Sequence, residues 1–128
     1  MKEIPAPLPL PQFRYELESW RRLLAYWKEE LVHCKNRLAG IINSHAAHDL
    51  LLAGETFQEV FLAEERAIGF LTEELKAQFW ALERADASGG RAPNLEMEQA
   101  KLRHAFRKAV ELFLYNKKNF VQFLQGLS

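Results

Sequence analysis

The sequence predicts an all-α protein: an antiparallel up-down-up bundle of three long helices, about 12–44, 49–87 and 94–126, behind an extended Pro-rich N-terminal arm. Three observations carry that expectation. Apolar residues recur at alternating spacings of four and three in three separate stretches. Two short polar or Gly-rich breaks divide those stretches, and proline is confined to the N-terminus and one of the breaks. Spacings of three and four keep a stripe on one face of a helix, and a stripe that long must be buried against other helices.

The arm comes first. Pro5, Pro7, Pro9 and Pro11 are four of the five prolines. Alternating proline fixes φ and removes backbone donors, so residues 1–11 read as an extended arm whose last residue, Pro11, can open a helix. Residues 12–128 then form a single helical-bundle domain. In the first helix Phe13, Leu17, Trp20, Leu24, Trp27, Leu31, Cys34, Leu38 and Ile41 make an unbroken apolar seam, which stops at Asn43-Ser44-His45.

The second helix has two candidate starts. Thr56-Phe-Gln-Glu59 has the form of a capping box, and Asp49 is an alternative N-cap. Asp49 is preferred, because Leu50, Leu51 and Leu52 call for burial and Gly54 inside a helix costs only about 1 kcal/mol. The seam continues through Phe57, Phe61, Glu64, Ile68, Leu71, Leu75, Gln78, Leu82 and Ala85 until Ala87-Ser-Gly-Gly-Arg-Ala-Pro93 breaks it. Asn94 reads as the N-cap of the third helix, and Gly126 marks its stop. Trp and Phe at many seam positions are too bulky for a slim two-stranded coil, which favours three helices around one core.

Composition narrows function. Hydrophobic content of 48% and charged content of 27% exclude a disordered chain. Seventeen bases balance seventeen acids, which argues against whole-molecule attraction to nucleic acid or anionic lipid. A single cysteine and the lack of any 18-residue apolar run point to a cytoplasmic protein without a membrane span. Charge is nonetheless segregated. The second helix holds nine acids against three bases, while Lys101–Lys118 holds six bases against Glu111. Two readings follow: an acidic middle helix packed between basic neighbours, or a polyanion-binding third helix. The first is preferred, since the bases are not interleaved with aromatics as a stacking platform.

Metal and catalytic patterns are sparse. Glu30-Leu-Val-His33 is half of a di-iron bundle motif, but such a site needs a second copy and further inward carboxylates. His33 should point outward. His45, His48 and Asp49 are a candidate for weak zinc binding, with water-facing helix-end residues as the plainer reading. Cys34 on the seam reads as a small buried hydrophobe rather than a nucleophile. No cofactor is expected, and the chain reads as non-enzymatic.

Pairing the helices about their loops puts Glu64, Asn116 and Trp27 at one height. The expectation is a buried polar layer in which Glu64 and Asn116 hydrogen-bond, with the Trp27 indole N–H as a third member, fixing the helices' alignment. Gln78 and Gln99 should form a second, milder and partly wet level. Val110, Leu114, Tyr115, Val121 and Leu124 on the third helix, with Trp80 on the second, exceed what a three-helix core needs. They predict a partner surface, used for a homodimer or for another helical protein.

Leu31-Val-His-Cys-Lys-Asn-Arg-Leu38 and Glu55-Thr-Phe-Gln-Glu-Val-Phe-Leu62 resemble short strings in a family of uncharacterised bacterial all-helical proteins. The resemblance covers the first two helices. It implies a helical bundle and supplies no functional residues to carry over. The expected function is protein–protein contact, with polyanion binding through the third helix as the alternative and a small-ligand or metal site behind both.

Overall fold

The computed structural model describes residues 8–44, 47–90 and 92–127. Three helices run in the order α1 (Leu10–Ser44), α2 (His48–Ala87) and α3 (Leu95–Gln125), and no strand occurs among the described residues. The fold is the all-α, three-helix bundle that the apolar spacing dictates. None of the helices is long and apolar enough to cross a membrane.

Several helix ends differ from expectation. α1 begins at Leu10, two residues early, so Leu10 and Pro11 belong to the helix rather than to an extended arm. The Pro9 carbonyl accepts the Gln12 and Phe13 N–H groups, each at 3.1 Å, and Leu10 is buried. A proline in the first turn removes a donor that has no partner there anyway, so Pro11 does not oppose this start. The rest of the arm, residues 1–7, lies outside the described residues.

α2 starts at His48, and Ala47 occupies the N-cap position without a side-chain bond. Asp49 therefore sits inside the first turn, where the helix dipole favours an acid, and is not the cap. Thr56 is mid-helix, its hydroxyl bonded back to the Leu52 carbonyl at 3.2 Å. Of the three leucines expected to be buried, only Leu50 is; Leu51 and Leu52 face solvent. Gly54 is buried where the helices converge: a Cβ there would lie 2.9 Å from Ile42 Cδ1. The turn after α2 uses Gly89 and Gly90 at φ +75° and +84°, with the Gly90 N–H donating to the Ala85 carbonyl at 2.7 Å. Asn94 precedes α3 but makes no side-chain cap, and Gly126 ends it in right-handed backbone at φ −69°.

Leu17, Leu38, Leu82 and Phe106 are among the most deeply buried side chains, and each such side chain contributes roughly 1.5–3 kcal/mol by leaving water. α2 packs closely on both neighbours, whereas the α1 and α3 backbones approach each other closely almost nowhere. Rings fill that wider seam. Trp20 stacks on Phe106 with centroids 4.9 Å apart, and Trp27 meets Phe113 edge-on at 4.6 Å. Farther along, Phe57, Phe61, Phe120 and Phe123 form a cluster between α2 and α3.

Near the α2–α3 turn the core is polar and dry, not partly wet. Gln99 is 0% exposed and Gln78 4%. Gln78 Nε2 donates to Gln99 Oε1 at 2.9 Å and to the Leu95 carbonyl at 3.0 Å. Gln99 Nε2 donates to the Phe13 carbonyl and to Glu16 Oε1, both at 3.2 Å. Arg103 grips Glu16 with two bonds, Nε to Oε2 at 2.6 Å and Nη2 to Oε1 at 2.7 Å. The network ties all three helices together, and complete hydrogen bonding is what lets amides sit in a core.

The ion pairs also depart from a simple acidic-between-basic arrangement. α1 pairs with α2 through Arg14–Asp86 and Lys35–Glu65, and with α3 through Glu16–Arg103 and Glu30–Lys117. Among the described residues no ion pair joins α2 to α3, and two bases of α3, Arg103 and Lys117, answer acids of α1.

Candidate functional site

The wide α1–α3 seam contains a recess of about 70 Å³. Its cause is local composition. On one side lies the Trp27–Phe113 ring pair, and at the recess itself α1 supplies the small Cys34 while α2 supplies Glu64 instead of a ring. Tyr26, Glu30, Leu114 and Lys117 border it, and Phe61 closes one wall.

The structure brings Glu64 and Asn116 together: Asn116 Nδ2 donates to Glu64 Oε1 at 2.8 Å. Trp27 stands on the wall of the same recess, but its ring is engaged with Phe113, and no hydrogen bond joins it to Glu64 or Asn116 among the described residues. Burial pushes the Glu64 carboxyl above its ordinary range, and the bond from Asn116 offsets part of that. No base forms an ion pair with Glu64 among the described residues. Cys34, partly buried, has its thiol pushed up first by desolvation and then by the carboxylates of Glu30 and Glu64. It is a protonated, poor nucleophile.

At the mouth, Lys117 Nζ lies 3.1 Å from Glu30 Oε2. Lys117 holds the Glu30 carboxyl below its usual range, with smaller help from the Tyr26 hydroxyl, and Glu30 in turn raises the Lys117 ammonium. The charges of the mouth thus cancel, and the one net charge facing the recess is Glu64.

The expected partner surface divides. Leu114 and Val121 are exposed beside the seam, Leu114 at 61%. Val110 and Leu124 are only partly exposed and pack against the core. Spacings of four, seven and three place Val110, Leu114, Val121 and Leu124 on one flank of α3, the flank whose Lys117 and Arg103 reach α1. Tyr115, though exposed, lies about 100° around α3 from Leu114. Trp80 is exposed on α2 beneath the Arg84 guanidinium, 4.6 Å from its ring centroid, and belongs to no common patch with Leu114. Sequence reasoning missed the pairing of Glu30 with Lys117; acid and base at matching heights on adjoining flanks were the available signal.

The histidine cluster gains no such geometry. His48 and Asp49 are exposed at the start of α2, and His45 lies outside the described residues. Among the described residues, no three His, Cys, Asp or Glu side chains are grouped to hold a metal ion. No family model, curated protein or solved structure matches this chain.

Proposed function

We propose that the protein is a non-catalytic binding module whose α1–α3 face receives an amphipathic helix of another protein, one with acidic flanks. The supporting observation is the flank of Val110, Leu114, Val121 and Leu124 beside Tyr26, set along the seam where the bundle's own backbones stay apart. A fourth helix laid there would cover the apolar flank in the manner of a four-helix bundle. Charge selects the partner. Arg107 and Lys118 lie on the outer side of this flank, against Glu111 alone, and none of the three has an ion-pair partner among the described residues, which leaves that side net positive. Acidic flanks would answer them, whereas two copies of the chain placed face to face would oppose like charges. Polyanion binding has less support, since Lys101, Arg103 and Lys117 are engaged with Glu98, Glu16 and Glu30.

The test uses two synthetic amphipathic helices with the same leucine seam, one flanked by glutamate and one by lysine, titrated against the full chain. The Glu-flanked peptide should bind at least about tenfold more tightly, and Leu114→Glu with Val121→Glu should abolish binding. Equal binding of both peptides overturns the charge argument. Self-association lost in the same double variant would assign the face to a second copy.

A further inference from the structure

The recess beside Glu64 has a chemistry of its own, although Tyr26 and Leu114 at its mouth also belong to the flank proposed to receive a helix. Four aromatic residues, Tyr26, Trp27, Phe61 and Phe113, line a space of about 70 Å³. Roughly half the volume of a cavity that holds benzene, it encloses about three heavy atoms, with the rest of a slightly larger group standing at the mouth. The Glu64 carboxylate faces this space. Asn116 bonds one of its oxygens, and no base reaches either oxygen among the described residues. A half-buried carboxylate without a counter-ion is under-compensated, because a single neutral amide replaces only part of its lost hydration.

The ligand's chemistry follows by elimination. An anion would meet Glu64 and the Glu30 carboxylate with their charges unopposed except by Lys117, which Glu30 already occupies at 3.1 Å. A neutral apolar group would fill the space and leave Glu64 worse solvated than before. A hydrated metal ion finds no third ligand among the described residues. A compact organic cation suits the aromatic walls and Glu64 together, since aromatic rings attract a diffuse positive charge through their quadrupoles and the carboxylate supplies the opposite charge, while the Lys117 ammonium at the mouth is already answered by Glu30. We propose that this recess binds a small methylated ammonium compound, with Glu64 as its counter-ion and Trp27 and Phe113 as cage walls. Methyl groups matter because a bare ammonium demands several hydrogen bonds, whereas here one carboxylate oxygen is open.

Tetramethylammonium is the probe, titrated into the full chain at constant ionic strength and followed by backbone amide NMR shifts. Neopentyl alcohol, of similar bulk and uncharged, is the control. Saturable shifts should cluster at Cys34, Glu64 and Leu114, with the cation binding at least about tenfold more tightly than the alcohol. Glu64→Gln should weaken the cation by about tenfold and leave the alcohol unchanged. Equal binding of cation and alcohol to the native chain, which needs no variant to fold, would reduce the recess to an apolar gap and overturn the proposal. So would unsaturated or scattered shifts at about 100 mM cation.

Discussion

Gln78 donates to Oε1 of Gln99 at 2.9 Å in a part of the core where neither residue meets solvent appreciably. Gln99 is the hub of that network, because it also donates to the Phe13 carbonyl and to Glu16. Gln99→Leu should destabilise the protein by about 1–3 kcal/mol, the range for stranding buried polar partners. Gln78→Leu together with Gln99→Leu should recover much of the loss, since removing both partners leaves fewer orphans. Guanidinium unfolding of the four proteins in a double-mutant cycle gives the coupling directly. Additive losses would mean that the two amides act independently.

Glu64 makes a pH signature of opposite sign to that of Glu16 and Glu30. Burial raises its folded pKa, so between the unfolded and folded values the folded chain retains a proton that the unfolded chain has released. Stability therefore falls as pH rises through that window. Glu16 and Glu30 are lowered by Arg103 and Lys117, so their contribution is complete above the ordinary carboxylate range and fades as pH falls through their folded values. Glu64→Gln removes only the first effect. Its melting temperature should exceed that of the native chain by a few degrees near pH 8, and the two should converge below about pH 4. A pH-independent offset would sink the assignment.

Glycine positions give a graded test of packing. Gly40 and Gly69 lie within helices, and an added methyl would meet nothing within 4 Å at either, so Gly40→Ala and Gly69→Ala should each add about 0.5–1 kcal/mol. Gly54→Ala should gain less, because its methyl must displace Ile42 Cδ1 from 2.9 Å. Gly89→Ala should lose about 1 kcal/mol, since φ is +75° there. Urea unfolding ranks the four. Equal effects at Gly54 and Gly69 would mean that α1 and α2 do not converge at Ile42.

Cys34 should resist alkylation. Its thiol is partly buried and held protonated by desolvation and by two nearby carboxylates. Iodoacetamide at about pH 8 should modify the folded chain at least about tenfold more slowly than the urea-unfolded chain, roughly the discrimination that thiolate fraction and access provide. Mass spectrometry over time reads both rates, and equal rates would place the thiol at the surface.

What the sequence disclosed and what it concealed divide by range. The three- and four-residue spacing of residues such as Leu17, Trp20, Leu24, Trp27 and Leu31 was sufficient to assign all three helices, because helix faces are a local property. Matching heights across the loops also brought Glu64 and Asn116 to one level, since rise per residue is constant. Leu51 and Leu52 were misjudged because hydrophobicity does not say which residues of an apolar run face inward. Leu10 was misjudged because alternating proline suggests extended chain, while burial of the leucine accompanies a helix start at Leu10, with the Pro9 carbonyl accepting the first bonds. The Glu16–Arg103 grip joins residues 87 positions apart and off the seams, and the recess is a void; neither leaves a periodic trace.

The outer helices are each fastened along the middle one, while only side chains reach across the gap between them. Like timber, the molecule has a grain. Partial loosening would split it along the α1–α3 line first, wetting Trp20 and Trp27 while both hairpins stay shut.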